Sequence, residues 1–410
     1  MEIRLAYRKA GIVLDVPDWI EIDRFGLNVV EEPVAYSQFV ESLRKAGGKR
    51  RFGGEPLIVV NDAYRSTPTE QILTWLDAFD NTILDRARFL IATGAHAAPS
   101  SEHLAQIFGR HFARLRNRIA WHDCRDAAGM ARIGVDRFDR PVRLNRLVIE
   151  AEQVFVIGSV EPHYFAGFTG GRKSLFPGLT DLATIERNHN LANSLEARPM
   201  RLTGNPVAEH LGELLSLVEP DKFLTAQIVM DAGRNLAGIY CGRLDEAFQQ
   251  AVVTASKIYG HQVSEPYDMA IAVLNPPLDR NLYQAQKALE NCQAAVVDGG
   301  AVVVVSACGE GVGSEFFFEL AKQWNREENR AFDGKVRFGS HKLSRVNAMS
   351  RRIDVRLLSK LPAEHARRVF YEPVGDMQRY LTEFFTDRKH GRLAVVNDAG
   401  HTVLQSINAS

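Results

Sequence analysis

Short runs of apolar, mostly β-branched or aromatic residues alternate along the chain with amphipathic segments. Such runs, bounded by turn residues, are typical of strands buried on both faces. After the first run, Thr67 and Glu70 have the spacing of a capping box, and Ile72 and Leu76 then recur at helical spacing. Strands that alternate with helices over short connections form βαβ units with parallel strands. The pattern predicts an α/β fold, with early strands at residues 56–60, 88–92 and 154–158.

Predicted strands also alternate with helices in the second half of the chain, which indicates a second α/β domain. A chain of 410 residues exceeds one ordinary core. The polar segment 260–266 is the best candidate linker. We therefore predict two α/β domains with largely parallel sheets, residues 1–262 and 267–410. Local alternation further predicts β-hairpins at residues 3–16 and 223–240, and strands at 269–274, 301–305, 353–358 and 392–396.

Polar side chains directly follow each of the three early strands. Asp62 and Arg65 follow the first, His96 the second and His163 the third. Because parallel strands end at the same edge of a sheet, we expect these groups to lie together, where α/β proteins bind ligands. Histidine can act as a general acid or base, and the arginine guanidinium can bind a carboxylate through two parallel hydrogen bonds. A local Asp62–Arg65 pair within a turn is the alternative for that loop.

Candidate functional residues are most concentrated in residues 161–189, EPHYFAGFTGGRKSLFPGLTDLATIERNH. Gly170 and Gly171 allow close approach of the backbone to a ligand, and Arg172 and Lys173 supply positive charge. This combination resembles a phosphate- or nucleotide-binding loop. The Walker spacing is absent, so an ordinary tight turn is the alternative.

The composition narrows the class of partner. Fifty basic and fifty acidic residues give a formal net charge of zero, which favours a small molecule over nucleic acid or a membrane surface. No stretch reaches 18 apolar residues, and the N-terminus lacks a signal-peptide pattern, so we expect a cytoplasmic protein. Without any CxxC pair, the cysteines predict reduced structural thiols: Cys124, Cys241, Cys292 and Cys308.

Four ordered motifs resemble those of one known family, the nickel-pincer-nucleotide lactate racemases and their relatives. Residues 161–189 are similar to the family pattern EPHxxAGxxGGRKxxxPG followed by NH. Residues 62–68, DAYRSTP, resemble its D-x-x-R-x-x-P loop, and residues 92–96, ATGAH, its ATGxH loop. Residues 283–287, YQAQK, resemble its YQxQK helix start.

This resemblance implies a racemase or epimerase of small 2-hydroxy acids that carries a nickel-pincer nucleotide. That cofactor is pyridinium-3,5-bisthiocarboxylic acid mononucleotide with nickel, which would be supplied by cofactor-biosynthesis proteins and attached covalently to Lys173. His189 would be the nickel ligand, although its position in Asn-His-Asn fits a structural role equally well. The resemblance also implies nucleotide contacts from Asp62, Gly170, Gly171 and Arg172.

The same resemblance assigns the groups that handle the substrate. His96 and His163 would be the two catalytic bases, one for each enantiomer, and Arg65 would clamp the carboxylate. Because the α-hydrogen of a hydroxy acid is weakly acidic, hydride transfer through a 2-oxo acid is the expected route. We expect the active site in the crevice between the two domains, with further substrate contacts from Tyr283, Gln284 and Lys287.

Two departures from the family pattern leave the substrate open. Ala97 follows His96 where relatives often carry Arg, and residues 275–277, NPP, replace a more usual Gly-Gly segment. Both departures weigh against lactate itself and leave open a larger or differently charged 2-hydroxy acid, or a sugar acid. The alternative functions are a zinc-type hydrolase with His96, His163 and His189 as ligands, although HExxH is absent, and a non-catalytic nucleotide- or metal-binding relative.

Overall fold

The computed structural model describes residues 1–8, 10–48, 54–331, 337, 339–388 and 390–407. Two compact units divide the chain. The N-terminal unit comprises Asn28–Ala197 and Arg201–Ile258, and the C-terminal unit comprises Met1–Leu27, Arg198–Met200 and Tyr259–Ser410. Each contains a six-stranded, largely parallel sheet with helices, which confirms the predicted α/β fold.

The sheet of the N-terminal unit has five parallel strands and one antiparallel edge strand. The edge strand forms the predicted second hairpin. From that edge, the strand order is Leu236–Gly242, Phe223–Met230, Val154–Ser159, Leu57–Asn61, Arg88–Ala92 and Ile119–Trp121. Two short antiparallel pairs accompany it: Met130–Val135 with Pro141–Asn145, and Pro162–His163 with Gly167–Phe168.

The central strands are apolar throughout because packed side chains cover both faces of the sheet. Ile58 and Val60 belong to one buried cluster, whereas Leu57 and Val59 belong to the cluster on the other face. The helices of this unit are Tyr36–Lys45, Thr69–Phe79, Ile83–Arg86, Ser101–Phe108, Phe112–Leu115, Arg146–Glu150, Leu182–Asn190, Pro206–Leu215 and Leu244–Tyr259.

The capping box predicted at Thr67 and Glu70 is wrong. The helix Thr69–Phe79 begins after Pro68, without a side-chain cap. Tertiary partners take both side chains: Thr67 Oγ1 accepts a hydrogen bond from Asn61 Nδ2 at 2.8 Å, and Glu70 Oε1 accepts one from the Arg110 backbone N–H at 3.2 Å. The first of these bonds fastens the loop that carries Arg65 to the end of a strand.

All neighbouring strands in the C-terminal sheet are parallel. Their order is Glu372–Pro373, Asp354–Leu358, Val296–Val305, Tyr267–Val273, Gly391–Val396 and Ile20–Phe25. The helices of this unit are Leu282–Cys292, Glu315–Lys322, Ser340–Met349, Ala363–Arg368 and Met377–Phe385. A short antiparallel pair joins Trp324–Asn325 to Arg330–Ala331.

The division into units differs from the predicted domains 1–262 and 267–410 at the N-terminus. Residues 1–27 belong to the C-terminal unit because Ile20–Phe25 is the edge strand beside Gly391–Val396. The predicted hairpin there is confirmed, with Glu2–Leu5 antiparallel to Ile12–Asp15. The segment proposed as a linker is partly ordered, since Gly260–Val263 pairs with Val403–Ser406.

Two further sequence expectations concern membrane helices and cysteines. Within the described ranges, no helix has the length and apolar character needed to cross a membrane. All four cysteines are free thiols, as predicted.

Candidate active site

Three neighbouring parallel strands position the candidate catalytic loops. Leu57–Asn61 lies between Arg88–Ala92 and Val154–Ser159 and is parallel to both. The loops that carry Arg65, His96 and His163 therefore leave the sheet at the same edge, as the strand pattern predicts. Sequence periodicity alone was sufficient for this part of the site.

Asp62 and His96 form a carboxylate–imidazole pair at this edge. Asp62 Oδ2 lies 2.6 Å from His96 Nδ1. Because a carboxylate only accepts hydrogen bonds, Nδ1 carries the proton, and Nε2 of the neutral ring has the available lone pair. The Asp62 side chain is only 9% exposed, whereas that of His96 is 51% exposed. His96 is thus oriented to act as a base through Nε2.

The backbone around Arg65 is tied to the same sheet edge. The Arg65 N–H donates to the Asp62 carbonyl at 3.2 Å, and Thr67 Oγ1 lies 2.9 Å from Ser159 Oγ on the neighbouring strand. Asp62 Oδ1 also accepts a hydrogen bond from the Tyr64 N–H at 3.2 Å. One carboxylate therefore orders both its own loop and the His96 ring.

His163 is held differently from His96. Its Nδ1 accepts a hydrogen bond from the Ala166 N–H at 3.2 Å, so the proton of the neutral ring lies on Nε2. Its ring stacks on Tyr164 at 5.2 Å between centroids and meets the Phe165 ring edge-on at 4.4 Å. In this arrangement His163 presents an N–H donor where His96 presents a lone pair.

Lys173 lies in the short 3-10 helix Gly171–Ser174. Burial, with a smaller contribution from the charge of Arg65, lowers the pKa of its amine to about 7, and Asp62 opposes the shift. A large fraction of the amine is thus neutral at neutral pH, which makes Lys173 a competent nucleophile. Arg65 and Asp62 are both close enough to act electrostatically on the amine.

His189 lies near the end of the helix Leu182–Asn190. Its Nδ1 is 2.9 Å from the Ile185 carbonyl, which can only accept, so Nε2 has the lone pair. Burial lowers the pKa of His189 to about 3, helped by the charge of Lys173. A neutral imidazole whose other nitrogen is fixed by a backbone carbonyl is the usual form of a metal-ligating histidine.

Phe165 connects these groups. Its ring centroid lies 5.0 Å from that of His189, in addition to the 4.4 Å contact with His163. Lys173 Nζ lies 6.0 Å from the centre of the same ring. Three predicted site residues, His163, Lys173 and His189, therefore lie around one phenyl ring that the sequence analysis missed.

The two predicted cofactor-loop glycines are required by packing. Gly170 has φ +74°, and a Cβ there would lie 2.7 Å from the Ser159 carbonyl oxygen. At Gly171 a Cβ would lie 2.6 Å from the Phe248 ring. Gln227 Oε1 accepts a hydrogen bond from the Gly171 N–H at 2.6 Å. Gln227 was missed, although a glutamine inside the apolar strand Phe223–Met230 was a visible signal.

The structure does not bring the Arg172 guanidinium into this cluster. Its carbon Cζ lies 5.6 Å from the centre of the Phe248 ring, and a Cβ at Gly212 would lie 2.5 Å from its Nη1. Burial lowers the pKa of Arg172, an effect opposed by Asp245. These neighbours belong to the helices Pro206–Leu215 and Leu244–Tyr259. The Arg172 side chain therefore packs against these two helices.

Buried His122 makes hydrogen bonds both to the start of the loop that carries His96 and to Thr180, which follows Lys173 in the chain. His122 Nε2 donates to the Thr180 carbonyl at 2.9 Å, and its Nδ1 accepts from Asn145 Nδ2 at 3.1 Å. The His122 carbonyl accepts a hydrogen bond from Thr93 Oγ1, at the start of the His96 loop. His122 follows the strand Ile119–Trp121, so the strand-end rule that selected the other histidines would have found it.

The predicted substrate contacts Tyr283, Gln284 and Lys287 lie in the C-terminal unit, on the helix Leu282–Cys292. Asn281 Oδ1 caps this helix by accepting from the Gln284 N–H at 3.1 Å. Buried Lys342 lies beneath its first turn and donates from Nζ to the Tyr283 carbonyl at 3.0 Å. Burial lowers the pKa of Lys342 to about 7, and Lys287 contributes to that shift.

The alternative three-histidine zinc site is not formed. Over the described part of the chain, no group of three or more His, Cys, Asp or Glu side chains is arranged to hold a metal ion. The contacts of the histidines agree: His96 pairs with Asp62, and the His163 and His189 rings pack on Phe165. Of these three, His189 is the one whose Nε2 has the lone pair on a ring that desolvation keeps neutral.

Most of the chain is similar in sequence to lactate racemases. The family model "Lactate racemase N-terminal domain" matches residues 28–199, and "Lactate racemase C-terminal domain" matches residues 265–362. The lactate racemase of Thermoanaerobacterium thermosaccharolyticum is 26% identical over 78% of this chain and 78% of its own. The lactate racemase of Lactiplantibacillus plantarum is 29% identical over 57% of this chain and 55% of its own.

Solved structures share the fold. The lactate racemase apoprotein from T. thermosaccharolyticum superposes with a TM-score of 0.83 at 21% identity, covering 99% of this chain and 100% of that one. A protein from Thermotoga maritima gives a TM-score of 0.71 at 16% identity, covering 92% and 100%. The sequence matches to lactate racemases define an enzyme of the racemase and epimerase class. The chain belongs to the lactate racemase family.

Proposed function

We propose that this enzyme racemises or epimerises a small 2-hydroxy acid with a nickel-pincer nucleotide carried by Lys173. The observation that supports this most strongly is that the paired base Asp62–His96 and Arg65 leave the same sheet edge and act electrostatically on Lys173, whose amine has a pKa of about 7. The family is consistent with a nickel-dependent cofactor. The specific group and its attachment are the proposal.

The residues fit the group chemically. Lys173 has the lowered pKa that a covalent tether needs, because only the neutral amine is nucleophilic. His189 offers a neutral Nε2 to a metal, with its Nδ1 held by Ile185. When bound, the nucleotide would supply a hydride acceptor and donor, chemistry that side chains lack.

The chain's own residues then perform the proton and binding steps. Arg65 holds the carboxylate, and His96 removes the hydroxyl proton of one enantiomer through Nε2. His163 presents Nε2–H to the substrate oxygen from a second position. For the other enantiomer the roles exchange, which requires His163 to give up the bond from the Ala166 N–H and move its proton to Nδ1. Tyr283, Gln284 and Lys287 supply further contacts to substrate oxygens.

The test is chiral analysis of 2-hydroxy acids after incubation with protein produced alongside the cofactor-biosynthesis proteins. We expect interconversion from either enantiomer, with protein made without that pathway as the inactive control. A substrate deuterated at the α-carbon should keep its label in ordinary water, because hydride transfer does not exchange with solvent. Fully loaded protein that interconverts no 2-hydroxy acid, or that loses the label to solvent on every turnover, would contradict the proposal.

A further inference from the structure

An exposed aromatic side chain lies against the candidate catalytic base. Tyr64 is 65% exposed, yet its ring centroid is only 4.8 Å from that of His96, at an interplanar angle of 62°. A second ring, that of His103 on the helix Ser101–Phe108, lies 5.6 Å from the Tyr64 ring. The aromatic neighbours of His163 are buried by contrast, with Tyr164 9% and Phe165 2% exposed.

The position of Tyr64 is fixed by the catalytic pair itself. Asp62 accepts from the Tyr64 N–H through Oδ1 at 3.2 Å and binds His96 Nδ1 through Oδ2 at 2.6 Å. Asp62 therefore ties the backbone at Tyr64 to the His96 ring. A group attached to C3 of a substrate whose hydroxyl reaches His96 Nε2 lies within reach of the Tyr64 ring.

The chain segment that carries His96 is otherwise small and uncharged. Residues 95–99 are Ala-His-Ala-Ala-Pro, so His96 is the one polar side chain in that stretch. Ala97 and Ala98 are exposed and leave space beside the imidazole. For a second carboxylate or a row of sugar hydroxyls, residues 95–99 offer no polar side chain besides His96, whereas an apolar group would cover the Tyr64 ring.

We infer that Tyr64 is a specificity-determining residue that contacts the substrate side chain, and that the preferred substrate is a 2-hydroxy acid with a large apolar side chain, best an aryl group. This inference rests on the proposed function. Aromatic pairs gain from edge-to-face or offset contact beyond the area they bury, which favours an aryl group over a methyl. Lactate is then a poor substrate of this enzyme.

The experiment compares 3-phenyllactate with lactate in cofactor-loaded enzyme. Wild type should favour 3-phenyllactate in kcat/KM by about tenfold or more. Tyr64→Ala should lower kcat/KM for 3-phenyllactate about tenfold, as expected for loss of one aromatic contact, and lower that for lactate less than threefold. Tyr64→Phe should retain the preference, and Phe316→Ala, which removes another exposed aromatic ring, should leave both substrates unaffected.

Binding without chemistry gives an independent readout. 3-Phenylpropionate has the ring and carboxylate but no hydroxyl to oxidise, so its inhibition constant should rise about tenfold in Tyr64→Ala, while that of propionate changes little. Equal losses for both substrates, or a preference that survives Tyr64→Ala, would overturn the inference. Loss of the preference in Tyr64→Phe would also overturn it, because the hydroxyl would then be responsible. The proposed function fails separately, if the wild type interconverts no 2-hydroxy acid.

Discussion

The candidate site contains a buried region and an exposed region, and the two treat charge in opposite ways. In the buried region, desolvation lowers the pKa of Lys173 to about 7 and that of His189 to about 3. In the exposed region, His96 is half exposed and is oriented by the carboxylate of Asp62. Burial thus prepares a nucleophile and a metal ligand, whereas exposure with a paired carboxylate prepares a base that must reach substrate.

The comparison extends to the aromatic side chains. Phe165 is enclosed among His163, His189 and Lys173, where it excludes water from the groups that must be neutral. Tyr64 has a similar ring beside His96 but faces outward. A buried ring sets the chemistry of its neighbours, and an exposed ring is available to a ligand.

The largest effect should follow from changing the buried nucleophile. Lys173→Arg keeps a positive side chain but replaces an amine of pKa about 7 with a guanidinium that stays protonated, so no tether can form. We expect racemisation below detection and a protein mass without any adduct. Lys257→Arg, on an exposed position of the helix Leu244–Tyr259, is the matched control and should load and turn over normally.

Next in size are the two bases. His96→Ala and His163→Ala should each lower kcat about 10²- to 10⁴-fold in both directions, since racemisation needs both groups in every cycle. Nickel and the Lys173 adduct should remain, because neither ring is assigned as a ligand. His390→Ala serves as an exposed control. Normal racemisation by His163→Ala, or loss of nickel from either variant, would refute the two-base assignment.

Arg65→Lys should have a smaller effect, about 10- to 100-fold on kcat/KM. A point ammonium cannot reproduce the two parallel hydrogen bonds of a guanidinium, and one charged hydrogen bond contributes roughly 1.5 to 3 kcal/mol. Steady-state kinetics with several 2-hydroxy acids measures this. Unchanged kinetics with every one of them would remove Arg65 from the substrate site.

The smallest effect tests the electrostatic link between the two regions. In cofactor-free protein, acylation of Lys173 should increase with pH through a midpoint near 7, because only the neutral amine reacts. Arg65→Gln removes a positive charge that disfavours the ammonium form, so the midpoint should shift upward. Mass spectrometry of the Lys173 peptide across a pH series reports both values. A wild-type midpoint near 10 would show that burial does not control this amine.

Much of the scaffold was predictable because it depends on local periodicity. The apolar runs gave the central strands, and parallel pairing then placed Arg65, His96 and His163 at one edge. Strand pairings between segments far apart in the sequence could not be predicted, because local periodicity does not encode them. The edge strand Ile20–Phe25 joins Gly391–Val396 across most of the chain, so residues 1–27 were assigned to the other domain.

Within the site, candidate residues could be chosen from the sequence, but the contacts that each one makes could not. The bond between Asp62 and His96 depends on side-chain rotamers 34 positions apart, which no spacing encodes. Phe165 was hidden because one more phenylalanine beside a histidine is unremarkable in a pattern. Thr67 was misassigned for a similar reason: its tertiary partner, Asn61, outweighed the local capping rule.

The central claim is that Lys173 carries a nickel-bearing nucleotide. It is tested most directly by intact-protein and peptide mass spectrometry, with metal analysis, of active wild-type protein made with the cofactor pathway. We predict a single adduct on the peptide containing Lys173 and nickel in equal stoichiometry with protein. Fully active protein with unmodified Lys173, or with stoichiometric zinc in place of nickel, would contradict the claim.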